Sequence, residues 1–402
     1  MLRPGTFALT LLLAALTALG PLSIDMYLPS LPDIAQVLAA PQARVQLTVS
    51  DYLIGFAVGQ VVYGPLSDRY GRRPVLFAAL VLYIAGTAIC AAAQSIDPLL
   101  AARFLQGAGG SGAIVLSRAI VRDLYSGVRA ARELSLMGSI SAFAPIVAPM
   151  IGGVLQTAFG WRASFILMGF AATAAGLAAS RLLPETLRQR ASEPFSVKYL
   201  LTGYGAVLRH GGFLAYLGII TACYAGLFAW ISGAAVVLEG VYGFSPATFG
   251  FIFSLGAAGY MAGAMIATRH VLRLGLDRMM GLGVTAIAAG ALGFALAVAT
   301  HVDGIWLVVA MALYLAGIGL SMPQAMAGAL TPFPDRAGTA ASLMGVVQQM
   351  AAAIVAALVG SYLGRSAWPL AGVVAAMGCL TFLAWLVTRR LRGHESLKES
   401  GK

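Results

Sequence analysis

Charged residues are scarce in this sequence, since Asp, Glu, Lys and Arg together make up only 10% of its 402 residues. A soluble domain carries roughly 25% charged residues, so this chain has too few to cover a water-facing surface. Apolar residues amount to 59%, glycine occupies 48 further positions, and the mean hydropathy is +0.86. The composition predicts a polytopic membrane protein with little room for a soluble catalytic domain.

Cysteine and lysine are also rare, with three of each. Cys90, Cys223 and Cys379 each lie inside an apolar run, which argues against a disulfide framework or a thiolate metal site. The sequence contains no Gly-x-x-x-x-Gly-Lys-Ser/Thr phosphate loop, which argues against ATP as the energy source. No cluster of His, Cys and Asp has metal-ligand spacing, and no nucleophile–base pair has a soluble setting. We therefore expect no cofactor, no metal and no enzymatic activity.

Twelve apolar stretches are long enough to cross a bilayer, which takes about 20 residues. The predicted spans are 5–27, 45–67, 75–94, 98–120, 134–158, 162–183, 212–238, 248–268, 279–300, 304–326, 338–360 and 368–388. Only Arg44, Arg162 and Arg365 fall on the side opposite the termini, so the positive-inside rule predicts that both termini are cytoplasmic. This placement explains the net charge of +11 without nucleic acid as a partner.

The chain divides into two sets of six spans around its longest polar stretch. We expect an N-terminal six-helix bundle at 1–183, a cytoplasmic linker at 184–211, a C-terminal six-helix bundle at 212–390 and a cytoplasmic tail at 391–402. Paired halves of this kind bind their substrate between them, near the bilayer midplane, in secondary transporters. The sequence therefore predicts an all-α transporter in a bacterial-type inner membrane.

Three motifs lie in the N-terminal half: GPLSDRYGRR at 64–73, RFLQGAGG at 103–110, and the set Pro145, Pro149, Gly152 and Gly153 in span five. They resemble the loop 2–3 signature, the fourth-helix motif and the antiporter motif of drug:proton antiporters in the major facilitator superfamily. IDMYLPSLPDIA at 24–35, with RAIVRDLY at 118–125 and GWRASF at 160–165, resembles the bicyclomycin/chloramphenicol-resistance (Bcr/CflA) branch. The resemblance implies twelve helices in two pseudo-symmetric halves and multidrug efflux coupled to protons by alternating access.

The loop motif mixes glycines, an acid and basic residues between spans two and three. Its candidate gating residues are Gly64, Asp68, Arg69, Gly71, Arg72 and Arg73. Gly64 is expected to permit close helix approach and Gly71 a tight turn with positive φ. Asp68 is placed to face the N-terminus of another helix, which the resemblance identifies as span eleven, and one of the two arginines after Gly71 is expected to pair with Asp123. The alternative is a simple topology anchor, which explains the arginines but neither the acid nor the glycines.

Span five carries the candidate antiporter motif. Two prolines four residues apart are expected to bend the helix, because each removes a backbone donor. Gly152 and Gly153 would leave a smooth face for close packing against a neighbour. The alternative is the ordinary enrichment of membrane helices in proline and glycine.

Asp25, Asp51 and Arg103 are ionisable residues inside predicted spans of the N-terminal half, where such groups usually face a cavity or a partner. We expect Asp25 to carry the coupling proton and Arg103, in contact with it, to set its proton affinity, with Asp51 as a secondary candidate. Three alternatives remain. Asp25 would be an extracellular loop residue, Asp51 would lie at a helix entrance, or an Asp–Arg pair would be purely structural.

Aromatic and amide side chains within the spans are candidates for substrate contact. They are Tyr27, Tyr52, Phe56, Gln60, Tyr224, Phe228, Gln348 and Gln349. An apolar cavity with one carboxylate would suit small lipophilic neutral or cationic substrates, and packing is the alternative role for the aromatic residues. The expected partners are such a substrate, protons and the lipid bilayer, around a monomer. The competing functions are an importer or facilitator of a metabolite, and a membrane enzyme or sensor that has lost transport.

Overall fold

The computed structural model describes residues 6–187, 197–333, 336–363, 366–389 and 391, and its regular structure in these ranges is helical. The helices are α1 Phe7–Asp25, α2 Leu31–Val37, α3 Gln42–Tyr70, α4 Arg72–Ala92, α5 Ile96–Leu124, α6 Gly127–Ser141, α7 Ala144–Phe159, α8 Arg162–Leu182, α9 Val197–Leu208, α10 Gly211–Ala235, α11 Pro246–Leu274, α12 Leu276–Ala299, α13 Gly304–Leu330, α14 Ala337–Tyr362 and α15 Trp368–Val387. In this described part of the chain, twelve spans are long and apolar enough to cross a membrane. The predicted all-α class and the number of spans are confirmed.

Each predicted span overlaps one span of the structure, but several helices are longer than the apolar run that predicted them. Helix α3 has 29 residues, or about 43 Å at 1.5 Å per residue, whereas the hydrocarbon core is about 30 Å thick. Its polar ends, which carry Arg44 and Asp68, therefore extend beyond the hydrocarbon. Helix α9 lies inside the predicted linker and precedes span seven.

Contacts divide the chain into two compact units. The first is built from the described residues of Met1–Phe195 together with Phe244–Phe251 at the start of α11, and the second from those of Ser196–Gly243 and Ile252–Lys402. The start of span eight therefore packs with the N-terminal spans, a detail that apolar runs alone did not predict.

Backbone-to-backbone approach holds α3 against α5 in the first unit. A Cβ atom at Gly107 would lie 2.0 Å from the carbonyl oxygen of Tyr52, and one at Gly55 would lie 2.1 Å from that of Phe104. Small residues at such interfaces let membrane helices pack closely, because lipid supplies no hydrophobic drive for their association. This seam fixes the position of the fourth-helix motif against span two.

The second unit has a similar seam between α12 and α13. A Cβ atom at Gly317 would lie 2.5 Å from the carbonyl oxygen of Gly283, and one at Gly290 would lie 2.6 Å from the backbone nitrogen of Tyr314. Glycine again lets two spans meet through their backbones.

Span five is broken rather than simply bent, which corrects the expectation for its two prolines. Helix α6 ends at Ser141 and α7 begins at Ala144, so Pro145 occupies the first turn of a new helix. A missing N–H has no cost there, because the first N–H groups of a helix have no intrahelical acceptor. Only Pro149 lies inside α7 and interrupts its hydrogen bonding.

Candidate functional site

Arg103 lies fully buried in the first unit, where α5 faces α1 and α3. Its Nη1 donates hydrogen bonds to the carbonyl oxygen of Ser23 at 3.0 Å and to Oε1 of Gln106 at 2.5 Å, and its Nε donates to the carbonyl oxygen of Thr48 at 3.4 Å. A buried guanidinium is tolerated only when such acceptors replace its water shell. The three acceptors therefore fix Arg103 in one orientation.

Two tyrosine rings stack on this guanidinium. The Cζ atom of Arg103 lies 4.7 Å from the ring centre of Tyr27 and 4.5 Å from that of Tyr52. Both tyrosines have no exposed surface, and their hydroxyls bond to Thr48 Oγ1 at 2.7 Å and to the carbonyl oxygen of Gly20 at 3.2 Å. Tyr27 and Tyr52 are therefore in cation–π contact with Arg103 in this structure, and their predicted contact with substrate stays a prediction.

A chain of polar side chains extends the Arg103 cluster to α4. Nε2 of Gln106 donates to Oγ1 of Thr87 at 2.9 Å, Thr87 donates to the carbonyl oxygen of Tyr83 at 2.7 Å, and the hydroxyls of Tyr83 and Ser23 lie 2.6 Å apart. Gln106 was noted only as part of the fourth-helix motif, and sequence reasoning missed Thr87, Tyr83 and Ser23. Their only signal was a polar residue inside an apolar run, and that signal does not show which polar residues meet.

Asp25 is the last residue of α1 and is 5% exposed. The residues that follow it, from Met26 to Leu31, are also buried, which excludes the alternative of an exposed loop carboxylate. No ion pair or side-chain hydrogen bond of Asp25 occurs within the described ranges. The expected contact between Asp25 and Arg103 is therefore not formed in this structure, where Nη1 of Arg103 donates instead to the carbonyl oxygen of Ser23, two residues earlier in α1.

Asp51 occupies the second position considered for a coupling carboxylate. It lies inside α3, beside Tyr52, and its side chain is half-buried. The positive charge of Arg103 acts on Asp51 electrostatically. No ion pair joins Asp51 to Arg103 in the described ranges.

The loop between α3 and α4 forms a second cluster, around Arg72. Nε of Arg72 lies 2.9 Å from Oδ2 of Asp123, its Nη2 donates to Oδ1 of Asp123 at 3.3 Å, and its Nη1 donates to Asp68 and to Oγ of Ser67. Arg72 is thus the arginine that pairs with Asp123, in the two-pronged arrangement that guanidinium and carboxylate favour.

Glu185, just after α8, completes this cluster and was missed by sequence reasoning. Its Oε1 accepts the backbone N–H of Arg72 at 3.0 Å and its Oε2 accepts that of Arg73 at 3.1 Å. A carboxylate at a helix N-terminus satisfies N–H groups that lack intrahelical acceptors. Gly71 has φ of 104°, and a Cβ atom there would lie 2.6 Å from Glu185 Oε2. Glycine is therefore required by both backbone conformation and space.

The side chains of Arg69 and Arg73 lie outside the Arg72 network. Arg69 is exposed and its Cζ lies 5.4 Å from the ring of Tyr70, while Arg73 Nη2 donates to the carbonyl oxygen of Ser180 at 2.7 Å. No described atom lies within 4 Å of a Cβ placed at Gly64. The expectation of close helix approach at Gly64 is wrong, because α3 makes its close approach to α5 near the middle of the helix, at Gly55.

The glycines of the span-five motif do make close contacts. A Cβ atom at Gly152 would lie 2.1 Å from the carbonyl oxygen of Met26, the residue after Asp25, and one at Gly153 would lie 2.4 Å from that of Pro246. Helix α7 thus packs its backbone against the chain that carries Asp25 and against the start of α11.

Three of the four candidate substrate residues of the second unit are connected through Tyr224. The ring centres of Tyr224 and Phe228 are 4.8 Å apart, and the Tyr224 hydroxyl donates to Oε1 of Gln349 at 3.1 Å. Phe228, Gln348 and Gln349 are buried. In the first unit, Phe56 is buried with its ring 6.2 Å from that of Tyr52, and Gln60 is half-buried.

We predict that Arg72→Ala lowers the thermal midpoint of the purified protein in detergent much more than Arg69→Ala does. Loss of the Arg72 guanidinium leaves Asp123, whose side chain is only 17% exposed, without its ion pair and with the Thr186 hydroxyl as its donor. This loss should cost about 1–3 kcal/mol. Arg69 is exposed and makes no ion pair within the described ranges, so its removal should cost less than about 0.5 kcal/mol. Equal midpoints for the two variants would show that the network does not stabilise this loop.

Comparison with known proteins identifies the family. The sequence profile of the Major Facilitator Superfamily matches residues 13–356. The chain belongs to this superfamily. It is 30% identical to the multidrug resistance protein D of Escherichia coli, over 98% of this chain and 99% of that protein. It is 31% identical to a chloramphenicol resistance protein of Pseudomonas aeruginosa, over 94% of this chain and 92% of that protein. The predicted superfamily and branch are confirmed.

A solved structure agrees with the superfamily fold. The crystal structure of a POT family transporter in complex with 5-aminolevulinic acid matches with a TM-score of 0.78 and 13% identity, over 98% of each chain. At this identity the likeness shows the fold alone. Together with the twelve spans, it identifies the chain as a multi-pass membrane protein with the major facilitator fold. In the described ranges, no group of three or more His, Cys, Asp or Glu side chains has the geometry of a metal site.

Proposed function

We propose that this protein exports small lipophilic or cationic compounds in exchange for protons, by alternating access, and that it is not an enzyme. The names of its relatives, a multidrug resistance protein and a chloramphenicol resistance protein, support the substrate class. The observation that carries the proposal is the buried Arg103 cluster with two carboxylates, Asp25 and Asp51, on the neighbouring helices. Buried ionisable groups in a transporter usually serve ion coupling.

Asp25 is proposed to carry the exchanged proton. A carboxyl group holds or releases its proton according to its burial and its distance from positive charge, so movement that changes the separation of Asp25 and Arg103 changes its proton affinity. Two of the three acceptors of Arg103, on Thr48 and Gln106, belong to α3 and α5. The third, the Ser23 carbonyl, belongs to α1, which ends at Asp25, and the chain turns immediately afterwards. Hence α1 is proposed as the moving element and Arg103 as the fixed reference charge.

Asp51 is proposed to tune this exchange rather than to carry the proton. Its half-exposed position in α3 leaves it closer to water than Asp25 is, and burial distinguishes the two carboxylates. The charge of Arg103 that acts on Asp51 would keep the site electrostatically balanced while Asp25 is protonated. Without this second acid, Arg103 would be a buried cation that lacks a nearby countercharge.

The Arg72 cluster is proposed to act as the cytoplasmic gate. It joins the ends of α3, α4 and α5 to the chain after α8 through Asp68, Asp123 and Glu185. Such a network of contacts stabilises one state of an alternating-access cycle. Removing one contact shifts the equilibrium between the outward-open and inward-open states by about 1–2 kcal/mol. The span-five glycines are proposed to guide the movement of the Asp25 segment, since Gly152 packs against Met26.

The proposed orientation places both termini and the linker in the cytoplasm, and the proposed bundles are those at 1–183 and 212–390, acting as a monomer. We predict that an alkaline phosphatase reporter fused after Arg209 or Lys402 is inactive, because the enzyme needs an oxidising compartment. A control fusion after His301, between spans nine and ten, should be active. Activity after Arg209 and silence after His301 would reverse the topology.

The transport proposal is tested with chloramphenicol in inverted membrane vesicles. An exporter driven by protons should accumulate the labelled drug when the vesicle interior is acidified, and accumulation should stop when nigericin collapses the pH gradient. An importer or facilitator would give no uphill accumulation in this orientation. A protein without transport would give vesicles indistinguishable from those of the empty host.

A further inference from the structure

An apolar groove of about 370 Å³ lies between α7 and α8, where spans five and six meet at the turn around Gly160. Its walls are Leu155, Phe159, Ala163, Ile166, Leu167 and Phe170, with Arg162 at one end. Phe159 and Phe170 are 76% and 70% exposed, so these rings stand away from the protein core. The volume lies in the range of small-molecule sites, about 300–1,000 Å³.

The groove has a polar end and an apolar end along the membrane normal. Arg162 is the first residue of α8, and Phe170 follows it eight residues later, which is about 12 Å deeper at 1.5 Å per residue. Arg162 therefore lies at the level of the lipid headgroups while the walls continue into the hydrocarbon. A phospholipid in a bilayer leaflet has the same arrangement, with its charged headgroup at the surface and its acyl chains in the hydrocarbon.

Arg162 is held in place yet keeps donors available. Its Nη2 donates to the carbonyl oxygen of Ala93 at 2.7 Å, and its Cζ lies 4.2 Å from the ring of Trp161. In the described ranges no acidic side chain pairs with it, whereas Arg44, another arginine predicted on this side, is paired with Asp97 at 2.5 Å. A positioned guanidinium without a countercharge is a site for a phosphate group.

We propose that this groove binds an anionic phospholipid, with the phosphate on Arg162 and an acyl chain along Ile166 and Phe170. No carboxylate lines the groove to receive the ammonium of a zwitterionic headgroup, so phosphatidylglycerol fits better than phosphatidylethanolamine. A lipid seated here contacts α7, the helix that packs against the Asp25 segment. The site is separate from the proposed transport of drugs and protons.

A second groove provides an internal control. It lies between α12 and α13, has a volume of about 390 Å³, and is lined by apolar residues and Thr300, among them Trp306 and Leu313, without a charged side chain. Acyl chains can lie in either groove, but only the groove with Arg162 can select a headgroup. Headgroup selectivity is therefore the property that separates a built lipid site from general contact with lipid.

The test is native mass spectrometry of the purified protein with phosphatidylglycerol, phosphatidylethanolamine and diacylglycerol of identical acyl chains. Phosphatidylglycerol should bind roughly tenfold more tightly than diacylglycerol, as one hydrogen-bonded charge pair predicts. Arg162→Gln should remove this preference while its amide can still donate to the Ala93 carbonyl, and Arg162→Lys should retain part of it. Phe170→Ala should weaken all three lipids, and Trp306→Ala should leave the preference unchanged.

Any of three lipid-binding results would overturn the proposal. They are equal binding of the three lipids by the wild-type protein, an unchanged preference in Arg162→Gln, and an equal loss of preference in Trp306→Ala. A lipid-free dimer that separates in Phe170→Ala would also overturn it, because the groove would then be covered by a second copy of the chain. The comparison of lipids on the wild-type protein decides the matter even if a variant fails to fold.

Discussion

Asp25→Asn is expected to abolish uphill accumulation of chloramphenicol in inverted vesicles, with normal insertion and an unchanged thermal midpoint. The amide has the shape of the carboxyl group but cannot exchange a proton, and Asp25 makes no hydrogen bond or ion pair within the described ranges that the substitution would break. A proton supplies about 2.3 kcal/mol per 100 mV and about 1.4 kcal/mol per pH unit. The variant should therefore lose a drug gradient of roughly a hundredfold.

Asp51→Asn is the matched control for this experiment. It removes a carboxylate of the same size from the neighbouring helix, but its side chain is half-exposed where Asp25 is buried. We expect a reduced rate of accumulation with the final gradient preserved. Full accumulation in Asp25→Asn together with none in Asp51→Asn would assign the proton to Asp51.

Arg103→Ala is expected to cause the largest combined loss of stability and transport. The substitution leaves the Gln106 side chain and the carbonyls of Ser23 and Thr48 without their donor, and it opens a cavity between the buried rings of Tyr27 and Tyr52. Cavity formation and unpaired polar groups together should cost about 2–5 kcal/mol. The thermal midpoint in detergent should fall, and drug accumulation should be lost even at equal protein levels.

Arg103→Lys separates the charge from the geometry of this side chain. Lysine keeps the positive charge but lacks the planar fork that reaches three acceptors and stacks between two rings. Its stability and transport should therefore lie between those of wild type and Arg103→Ala. Arg44→Ala is the control for loss of an arginine, because its exposed ion pair with Asp97 is worth about 1 kcal/mol or less. A normal Arg103→Ala variant would contradict the proposed role of this cluster.

The sequence predicted the spans well because an apolar run long enough to cross a bilayer is a local property. It also narrowed the partner of Asp123 to Arg72 or Arg73, since the loop between spans two and three and the end of span four lie on the same side of the membrane. The break before Pro145 was missed because proline bends a helix in its interior yet fits its first turn. Which of the two applies depends on where the helix begins, and composition does not show this.

The contacts of the site were harder to predict than the spans that carry it. Asp25 and Arg103 lie in helices of the same unit, but their pairing depends on helix rotation and depth, and Arg103 donates to the Ser23 carbonyl rather than to the Asp25 carboxylate. Glu185 was missed because it accepts backbone N–H groups at the start of α4, and no pattern of side chains in the sequence predicts such an acceptor. The cation–π contacts of Tyr27 and Tyr52 with Arg103 were not predicted, because an aromatic residue in a span serves packing, cation binding or ligand contact, and its sequence position does not distinguish these roles.

The most direct test of proton exchange at Asp25 is drug-induced proton release from the purified protein in weakly buffered detergent. Chloramphenicol is added at a pH where the carboxyl group holds its proton, and the release is followed with a pH indicator. The wild-type protein and Asp51→Asn are predicted to release protons on binding the drug, and Asp25→Asn is predicted to bind it without release. Proton release that persists in Asp25→Asn and disappears in Asp51→Asn would contradict the assignment of the exchanged proton to Asp25.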